Sequence, residues 1–593
     1  MTPVTFDDDC FGWLHMPRGG VGRVAVLICP ALMQDALLSH CSLRLLADRL
    51  AAAGYWALRF DYPGTGDSRS EGDSEPDGGH WQAWQNSIDQ AADWLRATTA
   101  ASELVMCGLR AGATLAALAA ARRADVAALI QFAPVIRGHS YVRQLMVQAE
   151  LQAGHRLNVA EQGFDFYEFH FSPETVEQMR RVDLRQMSLR AGQKAAIYPR
   201  GPSRVADECI ANWSAGGAEI ARGSFDKLEP MLRHNIIDEN SLADFGDVLT
   251  WLAKWVPYGA TNPPVVPRPQ PVALRPPGCI ETPLTFGRRG RLFGILCRPE
   301  RDESDLAVVI TNSGRDPHYG SCRQSVGLAR QLARSGVASL RMDFAGLGDS
   351  LGPIGKENVL SHMFEADRSP DIRHALDALQ RLGFRRFALQ GLCAGAYHSL
   401  HGALGDPRIS ALMLVNIPLF SLTGEVLDYL QWRGSSLAHY AGRLLSLSGW
   451  KTLLSGRVNV MSILRGQMTQ AQVRAQAEMQ NIASKVGLAD EPSVAHHAMA
   501  ELSARGVRTL FLFSPGQAEI DAFAREFGAA GEKLAAYPGA QMQIVPGMDH
   551  DMAGAAGRRL AQAGMVEFVT AKPSPAGQLA ADHQRQPHGA ALA

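Results

Sequence analysis

The chain has 593 residues and a net charge of −1, with 46% hydrophobic and 20% charged residues. This length predicts two or three domains, and the near-neutral charge argues against a nucleic-acid-binding protein, which normally carries a basic surface. Nine cysteines without a CxxC pair indicate reduced thiols in a cytoplasmic protein, and neither a signal peptide nor a membrane span is predicted.

The first predicted elements form a β/α pattern that recurs later in the chain. An apolar strand at Val24–Pro30 precedes a helix, a strand and a glycine turn over Leu46–Ser68, and another strand-to-helix segment covers Glu103–Leu118. The same landmarks return in the second half, as AVVITNS from Ala307, as LARQLARSGVASLRMDFAGLGDS from Leu328 and as GLCAG from Gly391. Three landmarks in one order and at one spacing indicate a duplicated unit.

The pattern within each copy predicts the fold class. Continuous apolar strands that alternate with helices are typical of a mostly parallel sheet covered by helices on both faces. We therefore expect two tandem α/β domains, at residues 1–256 and 279–572. The proline-rich segment 257–278 is predicted to be a linker, and the polar residues 573–593 a disordered tail.

In the first copy, the strand-to-helix corner reads GLRAG and places Arg110 at its centre. A guanidinium is always protonated and cannot attack a carbonyl group. His234 stands at the position expected for a catalytic histidine, but no acid is well placed, so this half is expected to be non-catalytic. Two roles stay open for Arg110: it binds an anion, or it is structural and pairs with an internal carboxylate such as Asp67.

In the second copy, the corner reads GLCAG and places Cys393 at its centre. A G-x-S-x-G sequence between a strand and a helix is the nucleophile elbow of α/β-hydrolases, and its glycines allow the tight turn. The helix N-terminus favours a thiolate at this position. The alternative interpretation is a small buried hydrophobic residue, which is the usual role of a lone cysteine.

The partners of Cys393 are predicted from the order nucleophile, acid, histidine along the chain. His550 lies in the loop after the last predicted strand and is the expected base. Gln517 occupies the place where the acid is expected. Glu519 and Asp521 are the nearest carboxylates, and of these we choose Glu519 as the acid.

The oxyanion hole is predicted from backbone amides on two segments. One is the amide of Ala394, directly after the nucleophile, and the other lies near Ser313 and Gly314 in the loop after the first matched strand. His318 and Arg323 in the same loop either contact substrate or are solvated loop charges.

A long insert separates two strands of the second copy. It covers residues 421–505 approximately, and it contains helical patterns and several aromatic residues. We expect a helical cap over the nucleophile, with aromatic side chains that line an acyl-binding cleft or simply pack within the cap.

These motifs resemble a known group of enzymes. GLCAG with HYGSCRQ and MDFAGLGDS resembles the exosortase A system-associated hydrolases of type 1, and CGLRAGATLAA with FAPVIRGHSYVRQL resembles those of type 2. The chain looks like a fusion of the two, over about 1–255 and 280–570, and it departs from the pattern at Gln517. The resemblance implies an enzyme that processes esters or thioesters in the assembly of envelope polysaccharides or specialised metabolites.

The sequence therefore predicts an acyl ester or thioester hydrolase with a small-molecule or carrier-bound acyl substrate. An acyltransferase and a non-catalytic scaffold or carrier-binding protein are the alternatives. Neither GLRAG nor GLCAG carries the lysine of a phosphate-binding loop, and no metal or cofactor is expected.

Overall fold

The computed structural model describes residues 1–571 except for twelve internal segments. These are 8–9, 19–21, 70–75, 154–156, 225–230, 233–245, 260–271, 302–303, 353–362, 365–366, 419 and 421–492. His234, most of the predicted linker, most of the predicted cap and the predicted tail lie outside the described residues.

The first half forms an eight-stranded sheet in the order β1-β2-β4-β3-β5-β6-β9-β10. Its strands are β1 Thr2–Phe6, β2 Cys10–His15, β3 Val24–Cys29, β4 Trp56–Phe60, β5 Glu103–Leu109, β6 Val126–Phe132, β9 Lys194–Tyr198 and β10 Glu219–Arg222. A separate hairpin pairs β7 Phe164–Phe166 with β8 Phe169–Phe171. Its described α-helices are Met33–Ala52, His80–Thr99, Ala111–Arg122, Gly138–Ala153, Val159–Gln162, Pro173–Arg180, Arg204–Ala215 and Gly246–Trp255.

The second half repeats this sheet in the order β11-β12-β14-β13-β15-β16-β17-β18. Its strands are β11 Cys279–Phe286, β12 Leu292–Pro299, β13 Leu306–Ile310, β14 Ala338–Asp343, β15 Arg386–Leu392, β16 Ile409–Val415, β17 Arg508–Phe513 and β18 Ala540–Ile544. Its described α-helices are Gln324–Arg334, Ser369–Arg381, Ala394–Gly405, Val494–Ala504, Ala518–Phe527 and Ala555–Thr570.

The two sheets have the same strand order and the same strand directions when the hairpin strands β7 and β8 are left out of the count. In both, the second strand pairs antiparallel with the strand on each side of it, and the strands that follow in the sheet pair parallel with one another. Apolar side chains are buried on both faces of each sheet, in two separate clusters per half. The predicted fold class, two tandem α/β units with mostly parallel sheets, is confirmed.

The parallel strands of the second half bring the candidate residues to one edge. β15 pairs with β13 on one side and β16 on the other, and β16 continues to β17 and β18. The loops after β13, β15, β17 and β18 therefore meet at the carboxyl ends of the strands, where α/β proteins place their functional groups.

The end of the predicted cap segment belongs to this packed structure. Val494–Ala504 is a helix whose buried residues include Met499 and Leu502, and it packs against the helix Ala394–Gly405. All nine cysteines are free thiols. No described helix combines the length and the hydropathy that a transmembrane segment requires.

Candidate active site

Cys393 lies at a strained corner between β15 and the helix Ala394–Gly405. Its backbone has φ +54° and ψ −116°, a region that a side chain rarely adopts. The Cys393 amide donates to the Val415 carbonyl at 2.9 Å, which holds the corner against β16. A Cβ atom at Gly391 would collide with the backbone of Gly395. The turn therefore requires glycine at this position, as the elbow motif predicts.

His550 lies beside Cys393, in the loop after β18. Burial lowers the pKa of His550, but the hydrogen bond to the Cys393 sulfur and the charge of that sulfur outweigh burial and raise the pKa to about 9. The imidazole side chain is 32% exposed and Cys393 is half-buried, so both groups reach solvent. The contact therefore places an imidazole beside the thiol, which is the arrangement that a nucleophilic cysteine requires.

Glu519 is one of two carboxylates whose charges raise the pKa of His550, the other being Asp551, the next residue but one after Asp549 in the same loop. Its Oε1 lies 3.7 Å from His550 Nδ1, and its side chain is only 3% exposed. Gln517, at the position where the acid was expected, caps the helix Ala518–Phe527, and the first turn of this helix carries Glu519 and Asp521. The separation is longer than a hydrogen bond, so Glu519 acts on His550 through its charge.

Asn416, which the sequence reasoning missed, ties the histidine loop to the sheet. Its Nδ2 donates to the His550 carbonyl at 2.9 Å and to Ser514 Oγ at 2.9 Å, and its Oδ1 accepts from the Ser514 amide at 2.8 Å. Ser514 Oγ in turn donates to the Asp549 carbonyl at 2.7 Å. The available signal was an asparagine directly after an apolar strand, where its φ of +47° is tolerated.

The predicted oxyanion loop packs directly on the elbow. A Cβ atom at Gly395 would collide with the Asn312 carbonyl, so the loop that carries Ser313 and Gly314 approaches the helix closely. The amide of Ala394 lies at the start of that helix. Like other first-turn amides, it has no hydrogen-bond partner within the helix. The loop that carries Ser313 and Gly314 and the first turn of the helix therefore lie next to each other at the elbow.

The side chain of Asn312 fixes the shape of the predicted oxyanion loop. Its Nδ2 donates to the Asp316 carbonyl and to Asp343 Oδ1, both at 2.8 Å, and its Oδ1 accepts from the Phe344 amide at 2.7 Å. The loop is thereby attached to the end of β14.

Two expectations for this loop are wrong. His318 neither contacts substrate nor is solvated, because it is 2% exposed and its ring lies between Asp343 and Asp67. Arg323 is likewise not a solvated charge. It donates at 2.9 Å to the carbonyl of Gly66, and it also donates to the carbonyls of Gly64 and Ser68. Both side chains belong to the contact between the two halves.

Arg110 occupies the equivalent corner in the first half. Its backbone has φ +55° and ψ −122°, close to the values at Cys393. Its Nε donates to Asp35 Oδ2 at 3.1 Å, and its side chain is 11% exposed. The suggested partner Asp67 is wrong, because the carboxylate of Asp67 binds Arg341 and His318. This corner carries no nucleophile.

A mostly parallel sheet, an elbow after its central strand and a histidine loop after its last strand define the class of the protein. Both halves have the α/β-hydrolase fold.

A comparison with known protein families matches part of the first half. Residues 38–196, within the first half, match the sequence family described as serine aminopeptidase, S33. No curated protein is significantly similar to the chain in sequence.

Several solved structures are similar to parts of the chain. The esterase Est1E from Butyrivibrio proteoclasticus, with ferulic acid bound, shares 14% identity over 43% of this chain and 99% of its own, with a TM-score of 0.30. A proline iminopeptidase from Mycobacterium smegmatis shares 15% identity over 49% of this chain and 97% of its own, with a TM-score of 0.31. The thioesterase domain of the curacin biosynthetic pathway shares 17% identity over 49% of this chain and 99% of its own, with a TM-score of 0.27.

Proposed function

We propose that the second half hydrolyses carboxylic esters and thioesters through Cys393. His550 acts as base and acid, and Glu519 supports the imidazole by its charge. The observation that carries this proposal is the contact between Cys393 and His550 at the elbow, because it outweighs the effect of burial and raises the pKa of His550 to about 9. An imidazolium at this position stabilises the thiolate that the reaction requires.

The reaction has two halves. The Cys393 thiolate attacks the acyl carbonyl, and the amides of Ala394 and of the Ser313–Gly314 segment stabilise the resulting oxyanion. As the intermediate collapses, the bond to the leaving alcohol or thiol breaks and His550 donates its proton to that group. Water then attacks the acyl-cysteine while His550 accepts a proton, and the acid product leaves with the thiolate restored.

The nucleophile favours activated substrates. In the tetrahedral intermediate, a thiolate leaves more readily than an unprotonated amine, so an amide substrate returns to the starting state whenever His550 does not protonate the amine first. Thioesters and activated esters carry leaving groups of quality comparable to the thiolate. This comparison supports an esterase or thioesterase over a peptidase, although the matched family carries the name of an aminopeptidase.

The acyl-cysteine also permits a second outcome. If an alcohol or amine replaces water, the same site is an acyltransferase. The resemblance of GLCAG and GLRAG to the exosortase A system-associated hydrolases supports a carrier-bound acyl group from polysaccharide or metabolite assembly as the substrate. Nine free thiols support a cytoplasmic location.

A non-catalytic scaffold is the remaining candidate. It is favoured by Arg110 in place of a nucleophile in the first half and by Gln517 where an acid is expected in the second. In that case Cys393 would be a simple buried thiol, and acyl donors would leave no adduct on it.

A substrate panel with two cysteine variants tests the proposal. p-Nitrophenyl acyl esters, acyl thioesters and amino-acyl p-nitroanilides are assayed with wild type, Cys393→Ala and the matched control Cys41→Ala. The two cysteines are compared because they alone among the nine are not fully buried. We expect ester and thioester turnover that iodoacetamide and Cys393→Ala abolish and Cys41→Ala retains. Intact mass measurement should reveal an acyl adduct on Cys393, and full turnover by Cys393→Ala would refute the mechanism.

A further inference from the structure

The two halves contact each other through a reciprocal pair of buried ion pairs. Arg59 donates to Asp349 at 2.6 Å, and Arg341, the counterpart of Arg59 in the repeat, donates to Asp67 at 2.8 Å. Asp349 is likewise the counterpart of Asp67, since both stand in the GDS that ends the matched segments. Each half therefore offers the same arginine and the same aspartate to the other, as in a two-fold symmetric dimer interface.

This symmetry is broken at the aspartate that ends β14 in the second half. The carboxylate of Asp343 accepts from Asn312 Nδ2 at 2.8 Å, from the His318 amide at 2.7 Å and from the Asp349 amide at 2.8 Å. The His318 ring nitrogen Nδ1 also lies 2.8 Å from Asp343 Oδ2. Three of these four contacts come from the oxyanion loop.

The counterpart in the first half lacks these contacts. Asp61 accepts from the Asp67 amide at 2.9 Å, and no second donor reaches its carboxylate from the described part of the chain. Pro30 stands where the second half has Asn312, and the helix Met33–Ala52 replaces the loop. The additional network therefore belongs to the half that carries the nucleophile.

His318 continues this network across the contact between the halves. Its Nε2 lies 2.6 Å from Asp67 Oδ2, and its ring is completely buried. Burial lowers the pKa of His318, but the charges of Asp67 and Asp343 overcome this and raise the pKa well above its ordinary value. The ring is therefore an imidazolium that bridges two carboxylates. Both of its nitrogens are engaged, so the nearby group of His318, Asp343 and Asp349 has no free imidazole ligand for a metal.

Asp67 also belongs to a longer series of buried ion pairs. Arg341 donates to Asp67 Oδ1 at 2.8 Å and to Glu281 Oε1 at 2.7 Å, and Arg330 donates to Glu281 Oε2 at 2.7 Å. All of these side chains are buried. Such a network is costly to break at one member, because the other charges then stay buried without a partner.

We propose that Asp67 of the first half is a positioning residue for the oxyanion loop of the second half. This inference rests on the proposed function. Asp67 holds His318, and His318 lies only a few residues after Ser313 and Gly314 in one loop that Asp343 binds at both Asn312 and His318. Without the charge on Asp67, His318 loses one of its two carboxylates, and the loop shifts relative to the elbow. The first half, which has no nucleophile at its own corner, thus shapes the site of the second.

Asp67→Asn tests the proposal in the full-length chain, and Asp349→Asn is the matched control. The control removes the symmetric charge, whose hydrogen bonds and ion pairs are with Arg59, His40 and Trp13 of the first half. Its carboxylate also lies within 4.8 Å of His318, so the control keeps the hydrogen bond between Asp67 and His318 while it changes the charge beside the same ring. Steady-state kinetics on p-nitrophenyl acetate are normalised to the iodoacetamide-reactive Cys393, and amide hydrogen exchange is followed over residues 311–320.

We expect Asp67→Asn to lower kcat by about tenfold or more per reactive Cys393, because small displacements of oxyanion donors have effects of this order or larger. KM should stay within about threefold, since substrate binding is not the affected step. Amide hydrogen exchange over residues 311–320 should become faster. Asp349→Asn should retain kcat within about threefold and leave exchange in the loop unchanged.

Equal loss of kcat in both variants would overturn the proposal, since it would reflect general damage to the contact between the halves. Wild-type kcat in Asp67→Asn would overturn it as well. If wild type hydrolyses no ester, the proposed function fails, and loop exchange alone decides whether Asp67 holds the loop. If Asp67→Asn does not fold, His318→Gln removes the same link from the other side and is judged by the same measurements.

Discussion

Cys393 and Arg110 occupy the same backbone corner in the two halves of the chain. Their φ values are +54° and +55°, and their ψ values are −116° and −122°. The amide of each donates at 2.9 Å to the last residue of the neighbouring strand, Val415 for Cys393 and Phe132 for Arg110. The backbone geometry of a nucleophile elbow is thus present in both halves. The two halves differ chemically in the side chain that stands at this corner.

The matched corners predict different effects of the same substitution. Gly395→Ala places a Cβ atom against the Asn312 carbonyl, and Gly112→Ala places one against the Pro30 carbonyl. Each should lower the free energy of unfolding by about 1–3 kcal/mol, because both sites are already closely packed. We expect only Gly395→Ala to reduce kcat per folded molecule, by about 100-fold, because only this change moves the elbow that carries the nucleophile. Urea unfolding and ester kinetics on both variants check this, and equal kinetic losses would contradict it.

The pKa of His550 predicts a pH dependence of stability. The folded value is raised to about 9 from an ordinary 6.5, so protonation of His550 stabilises the folded state. This contribution is fully present below pH 6.5 and disappears as the pH rises through 9. The difference in unfolding free energy between wild type and His550→Asn should therefore be largest near pH 6 and shrink toward pH 9.5, as measured by urea unfolding across this range.

His497→Asn is the control for this measurement, because His497 is an exposed histidine of the same half. The same measurement on this variant gives the effect of replacing a histidine that is not part of the site. A His550→Asn difference that grows with pH would show that the imidazole is neutral in the folded protein.

Glu519 should contribute through its charge rather than through a hydrogen bond. Glu519→Gln keeps the size of the side chain and removes the charge that lies 3.7 Å from His550 Nδ1. We expect kcat to fall by about tenfold, because the imidazolium loses part of its electrostatic support. The matched control is Asp521→Asn in the same helical turn, whose side chain is exposed. If Asp521→Asn impairs kcat and Glu519→Gln does not, the acid has been assigned to the wrong residue.

The bonds from Asn416 should determine the position of the histidine loop. Asn416→Gly retains the positive φ but removes the donors to the His550 carbonyl and to Ser514. We expect a loss of about 1–3 kcal/mol in unfolding free energy from the unsatisfied groups. A drop in kcat of about tenfold to 100-fold should accompany it, because the imidazole is misplaced.

Asn416→Ala separates the two contributions at this site. It removes the same bonds and adds strain at a φ of +47°, so it should be less stable than Asn416→Gly with a similar kcat. Wild-type kcat in the glycine variant would mean that the sheet alone positions the loop.

Much of the fold was predictable because it follows from local patterns in the sequence. Alternating apolar strands and helices predict a parallel sheet, and the return of the same landmarks in the second half predicts that the sheet occurs twice. The glycines around Cys393 predict the elbow, because only a residue without a side chain fits there. The places of Cys393 and His550 follow from the order of strands along the chain, and their roles stay predictions.

The contacts that were missed or misassigned involve residues far apart in sequence. Arg110 lies beside Asp35 rather than Asp67, and the side chain of Asn416 reaches a loop 134 residues later. His318 resembles a loop histidine in the sequence, but a carboxylate 251 residues earlier holds it in the interior.

The amino-acid sequence by itself determined the two sheets, the corner at the end of each central strand and the residue that stands there, because neighbouring residues decide strand, helix and turn. Tertiary structure alone decided that Asn416 binds the His550 carbonyl and that Asp67 of one half binds His318 of the other. Such pairs form only when packing brings distant segments together, and burial then makes each charge depend on its partner.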